Sequence, residues 1–329
     1  MSPSVLNPLR FVLGLLLTSL SGPYLSQAQA ECQSLPVRQL SQFIKQDVLL
    51  QRAVRSLGDP QDFQPRFVSE GETTTAEQEV ILSGHITSSA PLGDFKVALR
   101  LPKNFKPDRA YPTTLIVGGI DSSLETLLGI PPTGENILVI YQYPGVDISQ
   151  LRRFFERDLK GIPLQVAVLL LWLSQQSYVD DARLNAVGIS FGGIVLPVSL
   201  RLSSLLNVDV AATIFAYTGG EVAKVATDIL GLNSTERSLI GCLLLGLTAF
   251  VDPVVHLPEL QSGRYLLVMS LEDELFSPYS TQAFIEATPE PKTLIPLTGA
   301  HLQARRPDLI DQLIEISFNW LISQGVANP

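Results

Sequence analysis

The chain has 329 residues, 46% hydrophobic and 17% charged, enough to bury a sizeable core in one large domain or two smaller ones. Its net charge is −9 and no Lys/Arg-rich patch interrupts it, so nucleic acid is not expected as a partner, because counterion release needs clustered cations. Two cysteines, Cys32 and Cys242, are too few for a disulfide-dependent mini-fold.

Arg10 precedes an apolar run over 11–17 that extends to Leu20, followed by Gly22-Pro23 and then by Ala28-Gln29-Ala30 ahead of Glu31. A basic residue, a short apolar core and a small-x-small site describe a signal peptide over 1–30, cleaved after Ala30. A run of about a dozen apolar residues is short for a bilayer span, so the expectation is export to a secreted or periplasmic location without stable membrane insertion. An oxidising compartment would allow Cys32 and Cys242 to pair; Cys242 lies in the apolar stretch 239–250, where a buried free thiol is equally ordinary. No metal-binding or redox motif is present, and no cofactor is expected.

Residues 37–57 carry apolar side chains at helical spacing (Leu40, Phe43, Ile44, Leu50, Val54, Leu57) and end at Gly58-Asp59-Pro60. The polar, acidic stretch 61–78 reads as a linker, which makes 31–78 an N-terminal helix and linker before a main domain over 79–329. Segments 80–88 and 95–101 predict an antiparallel strand pair. Short apolar strands follow at 113–117, ending at Gly118-Gly119, and at 137–143, ending at Pro144-Gly145. A helical region spans 148–159 and 164–178, and its second part is apolar all round, as in a buried helix. Strand 184–189 runs straight into Ser190 and a helix over 191–206. Further strands are predicted at 210–216, 265–270 and 293–297, and a last helix at 309–322. Alternating strands and helices imply a mostly parallel sheet covered on both faces, with the leading pair making it mixed.

The central chemical signal is Gly188-Ile189-Ser190-Phe191-Gly192, followed by Gly193. This G-x-S-x-G pattern, between a strand and a helix, is a nucleophile elbow: the chain turns so abruptly that side chains two residues either side of the serine would collide. A serine hydroxyl needs a base, and the chain offers three histidines. His85 falls in the early strand pair and His256 in Asp252-Pro253-Val254-Val255-His256. His301, in the loop after the last strand, alone satisfies the order Ser, Asp/Glu, His with an acid between.

That acid is expected just past strand 265–270, where Leu271-Glu272-Asp273-Glu274-Leu275-Phe276-Ser277-Pro278 presents three carboxylates. Asp273 is the choice, a few residues past the strand and ahead of the Pro. Glu272 and Glu274 are the alternatives, with two of the three expected to be solvated surface charges, and Asp252 and Asp228 are remoter candidates. The acid would hold the imidazole tautomer and stabilise the imidazolium. Two backbone donors should face the developing oxyanion: the N–H of Phe191, and one from Gly118-Gly119-Ile120-Asp121, with Gly119 and Ile120 both open as the donor.

From about Val80 to the end, roughly three quarters of the chain, the sequence resembles the α/β-hydrolase superfamily, and most nearly its dienelactone-hydrolase and prolyl-oligopeptidase-like branch. The resemblance rests on Tyr143-Pro144-Gly145, on Val179-Asp180-Asp181-Ala182-Arg183 before the elbow strand, on Ser190-Phe191-Gly192-Gly193 and on Asp252-Pro253. It implies an α/β-hydrolase fold and a cap insertion over 221–250. Leu239, Ile240, Leu243 and Phe250 there would line an acyl pocket or simply form a buried helix. Many members carry His-Gly where this chain has Val117-Gly118-Gly119, which weakens a lipase-like assignment. The expectation is a serine esterase acting on a small-molecule ester. An aminopeptidase-like amide hydrolase and a catalytically silent binding module are the alternatives.

Overall fold

The computed structural model describes residues 46–58, 64–88, 92–119, 122–144, 159–229, 244, 248–260, 263–302 and 306–329. The expected signal peptide, Cys32, Cys242, Ile120 and most of the expected cap insertion lie outside them.

Strands β1 (Arg66–Thr74), β2 (Val80–Thr87) and β3 (Phe95–Leu101) form an antiparallel front. Behind it come β4 (Tyr111–Val117), β5 (Ile137–Tyr141), β6 (Val179–Ile189), β7 (Ala212–Ala216), β8 (Arg264–Ser270) and β9 (Lys292–Leu297). The sheet order is β1-β2-β3-β5-β4-β6-β7-β8-β9; β3 meets β5 antiparallel, and every pairing from β5 to β9 is parallel. The strand order reverses at β4, the point where open parallel sheets leave a crevice at their carboxyl ends.

The expected linker 61–78 is corrected here, because it contains β1. That strand is mostly exposed, and Phe67 and Gly71 are its partly buried exceptions. Polar residues at an edge give no alternation to read; β1 is held by main-chain pairing to β2, from Arg66↔Thr87 to Thr74↔Val80.

β4, β5 and β7 are buried at every position, as strands covered on both faces must be. On one face Leu115 and Val117 of β4 pack with α1 (Gln46–Arg55), α3 (Leu159–Ser174), α4 (Phe191–Leu205) and α7 (Pro278–Ala287). On the other, Ile116 packs with α2 (Leu124–Gly129) and α8 (Pro307–Ser323) through Leu127, Leu313, Trp320 and Leu321. The buried helix expected over 164–178 is α3. Two short helices complete the layer: α5 (Val222–Ile229) and α6 (Pro253–His256). No helix among the described residues is long and apolar enough to cross a membrane.

Candidate active site

Ser190 sits between the last residue of β6 and the first of α4, with φ 55° and ψ −120°. A non-glycine residue in that region costs about 1–3 kcal/mol, a strain that persists only where the surroundings enforce it. Here the Ser190 N–H donates to the carbonyl of Ala216 on β7 at 2.9 Å, and the Gly193 N–H closes the turn onto the Ser190 carbonyl at 3.0 Å. The helix start lies so close to β4 that a Cβ on Gly192 would stand 1.7 Å from the Val117 carbonyl oxygen. Glycine is therefore a steric requirement at Gly192.

The loops after β8 and β9 lie side by side at the same carboxyl edge. They bring His301 Nε2 within 2.8 Å of Ser190 Oγ, and His301 Nδ1 within 2.7 Å of Asp273 Oδ2. His301 is 5% exposed, and the Asp273 side chain is equally enclosed. The other oxygen of Asp273 accepts from the N–H groups of Leu275, at 2.8 Å, and Phe276, at 3.0 Å, which fixes the carboxylate plane. The rings of Phe276 and Tyr217 flank the imidazole, with centroids 5.7 and 6.0 Å away.

Glu272 and Glu274 are the two surface carboxylates of the three, and they also bond to the opposing loop. Both are exposed, yet Glu272 accepts the Gly299 N–H at 3.0 Å and Glu274 accepts the His301 N–H at 2.7 Å. The three consecutive carboxylates thus divide their work. The aspartate meets the ring, and the longer glutamates reach the main chain that carries it.

Phe191 begins α4, where the first amides of a helix point out of its N-terminus. Gly119 lies beside the serine: a Cβ on Gly119 would be 4.0 Å from the Ser190 Cβ. The Tyr143 hydroxyl donates to the Gly118 carbonyl at 3.0 Å and its ring packs on Phe191, centroids 5.5 Å apart. That bond orients the Gly118–Gly119 peptide, since the carbonyl and the following N–H of a trans peptide point opposite ways. Burial pushes the Tyr143 phenol well above its usual range, so it stays a donor. Only its place in Tyr143-Pro144-Gly145 hinted at this role. Tyr217, which follows β7 at φ 49°, carried no sequence signal.

The remaining candidates lie elsewhere. His85 faces Glu70 at 2.9 Å on the antiparallel front. His256 is wholly buried, its Nε2 2.7 Å from the Phe250 carbonyl and its Nδ1 3.2 Å from Arg201. Burial and the neighbouring Arg201 depress it to about 3, so its ring is neutral. Asp252, also wholly buried, caps α6 through the Val254 N–H at 3.2 Å. It also accepts from Glu221 at 3.1 Å and Val222 at 2.8 Å, tying the start of α5 to α6. Burial lifts its carboxyl to about 7. Asp228 pairs with Lys224 at 3.2 Å. Among the described residues no group of three His, Cys, Asp or Glu side chains could hold a metal ion.

No family model matches the chain, and no curated protein matches it in sequence. Solved structures do. Acetyl xylan esterase 1 from Thermoanaerobacterium sp. JW/SL YS485 superposes with TM-score 0.60 at 14% identity, covering 83% of this chain and 93% of that one. The acetyl xylan esterase from Paenibacillus sp. R4 gives 0.60 at 12% identity over 82% and 93%. An esterase, Est2, from Thermogutta terrifontis gives 0.51 at 16% identity over 72% and 90%. The chain has the α/β-hydrolase fold. Likeness at this level of identity speaks for the backbone and not for the chemistry. What is particular to this chain is the set of side chains at its elbow.

Proposed function

We propose that the protein is an exported serine hydrolase that cleaves a carboxylic ester through an acyl-enzyme. The observation that carries this reading is the continuous line from Ser190 Oγ to His301 Nε2, 2.8 Å, and from His301 Nδ1 to Asp273 Oδ2, 2.7 Å, at the strained end of a central strand. Hydrogen-bond reach between nucleophile and base, with the base oriented in turn by a third group, is the geometry that activates a serine.

In the first step Ser190 Oγ bonds to the ester carbonyl carbon while its proton passes to His301 Nε2. Asp273 stabilises the imidazolium so formed and keeps its own proton count unchanged. The Phe191 amide and an amide at Gly119 or Ile120 receive the oxyanion. Collapse breaks the carbon–oxygen bond to the alcohol, which leaves with the proton from His301. Water then repeats the sequence, His301 taking its proton, and the acid is released with Ser190 restored.

An ester is proposed because structural matches covering 72–83% of this chain and 90–93% of their own length are esterases by name. Export rests on Arg10, the apolar run 11–17 and Ala28-Gln29-Ala30. Labelling by a fluorophosphonate tests the mechanism. Wild type should be labelled and Ser190→Ala should not; no label on wild type would return the chain to the silent-module reading. A series of p-nitrophenyl esters of graded length, run beside aminoacyl-anilides, decides between ester and amide. Exported protein whose N-terminus is Glu31 would support the signal peptide, and retention of residues 1–30 would overturn it.

A further inference from the structure

Among the described residues, several contacts join the end of β8 and its loop to the end of β9 and its loop, including Leu271 N–H to the Leu297 carbonyl at 3.1 Å. Ser270 Oγ donates to the Gly299 carbonyl. Glu272 accepts the Gly299 N–H at 3.0 Å, Asp273 meets the His301 ring at 2.7 Å, and Glu274 accepts the His301 N–H at 2.7 Å. Ser270 Oγ also accepts the Glu272 N–H, at 3.2 Å, which bends the first loop toward the second.

We propose that Glu274 is a positioning residue for His301, with Glu272 as its companion: their carboxylates hold the main chain of Gly299 and His301 so that the imidazole stays between Asp273 and Ser190. This rests on the reading of Ser190, His301 and Asp273 as the reacting line.

The need for such a hold lies in the loop itself. His301 projects from a segment between β9 and α8, and no helix or strand backbone carries it. Gly299 has φ +114°, a conformation closed to other residues without strain, and a Cβ there would meet nothing within 4 Å, so side-chain packing at Gly299 does not fix the bend. A loop bent at a glycine, with no side chain at the bend, relies on its hydrogen bonds there. Charge-assisted bonds from a carboxylate to an N–H are stronger than neutral ones. A base displaced by about 1 Å loses on the order of 100-fold in rate. The main-chain contacts therefore act on the ring through the residue that bears it. Asp273, Phe276 and Tyr217 hold the ring, whereas a bond at the His301 N–H fixes the backbone from which the ring projects.

The test compares Glu274→Ala and Glu274→Gln with wild type, using the full chain. Gln keeps an oxygen acceptor, and Ala keeps nothing. Hydrogen exchange of a peptide covering 297–302 should rise at least about tenfold in Glu274→Ala and return most of the way in Glu274→Gln. This readout does not depend on catalysis, so it tests the hold even if Ser190 proves unreactive. The fluorophosphonate labelling rate should fall about 10- to 100-fold in Glu274→Ala, recover in Glu274→Gln, and show no further fall when Glu274→Ala is added to His301→Ala. That last result separates action through the histidine from general loosening, which would lower the residual rate again. Unchanged exchange in Glu274→Ala would overturn the proposal, as would an equal loss of labelling with His301 absent. Wild type unlabelled, with exchange raised in Glu274→Ala, would instead sink the proposed function and leave the hold standing.

Discussion

His301 and His256 are both buried, and each has a partner at both ring nitrogens, yet their surroundings make them opposite kinds of residue. At Nδ1 His301 faces a carboxylate, Asp273, and at Nε2 a hydroxyl, Ser190. His256 faces the Arg201 guanidinium at Nδ1 and the Phe250 carbonyl at Nε2. A guanidinium only donates, so the His256 Nδ1 must accept and its Nε2 carries the hydrogen. A second proton there would stand against Arg201 in a dry interior. At His301 the same proton would be met by a carboxylate. In the proposed mechanism the His301 ring takes a proton and gives it up, whereas the His256 ring stays neutral and holds two segments together. Arg201 reaches on to Asp47 of α1, so His256 ends a chain of contacts joining the N-terminal helix to α4 and to the residues before α6. Burial does not distinguish the two histidines; the charge of the group at Nδ1 does.

The contrast is broken most severely by removing the rings. His301→Ala or Ser190→Ala should lower kcat/KM by about 10⁴- to 10⁶-fold, read by ester hydrolysis, with the thermal midpoint little changed. His256→Ala should do the reverse. Labelling of Ser190 should persist while unfolding in denaturant shows a loss of about 2–4 kcal/mol, from a cavity and an unpaired guanidinium. Comparable activity losses in both variants would erase the distinction.

Asp273→Asn tests the charge at Nδ1 with shape conserved, and kcat should fall by about 10⁴-fold. Retention of most activity would mean that the carboxylate is not the orienting group. Tyr143→Phe removes the hydroxyl that holds the Gly118 carbonyl, and about a tenfold fall in kcat with little change in KM is expected, on the scale of one lost hydrogen bond. A change confined to KM would place Tyr143 in substrate binding.

A separate effect lies in the pH dependence of stability. His256 is depressed from its ordinary 6.5 to about 3 in the folded protein, so the unfolded chain binds its proton first as pH falls. The stability it contributes is fully present above about 6.5 and is lost as pH drops from there toward 3, at up to about 1.4 kcal/mol per pH unit. Denaturant titrations of wild type and His256→Gln across that window should show a shallower slope in the variant. Equal slopes would mean that His256 is not the group that titrates.

Much of the site was legible because its chemistry is tied to chain order. Ser190 lies in a pattern whose glycines are steric necessities, and a sequence with three histidines leaves one in the right place. The choice among Glu272, Asp273 and Glu274 was legible only as a choice. Three adjacent carboxylates differ in side-chain length and direction, and neither has meaning until the opposing loop is in position. β1 was illegible for a related reason: a polar edge strand is held by hydrogen bonds to a neighbour, and nothing in its own pattern announces them. Tyr143 was marked only by its place in Tyr143-Pro144-Gly145 and Tyr217 by nothing, and their places depend on what the ends of β5 and β7 face.

By itself the sequence determined the alternation of strands and helices, the elbow at Ser190 and the candidacy of His301, since periodicity, steric bulk and residue order are local or linear properties. The tertiary structure alone decided which carboxylate meets the ring, which histidine is kept neutral, and that Glu272 and Glu274 reach across to the loop bearing His301. Those are distances between residues 27 or more positions apart, or, for His256 and Arg201, 55 apart. A hydrogen bond is decided within a few tenths of an ångström, and only the packing of the sheet and its helices sets distances that finely.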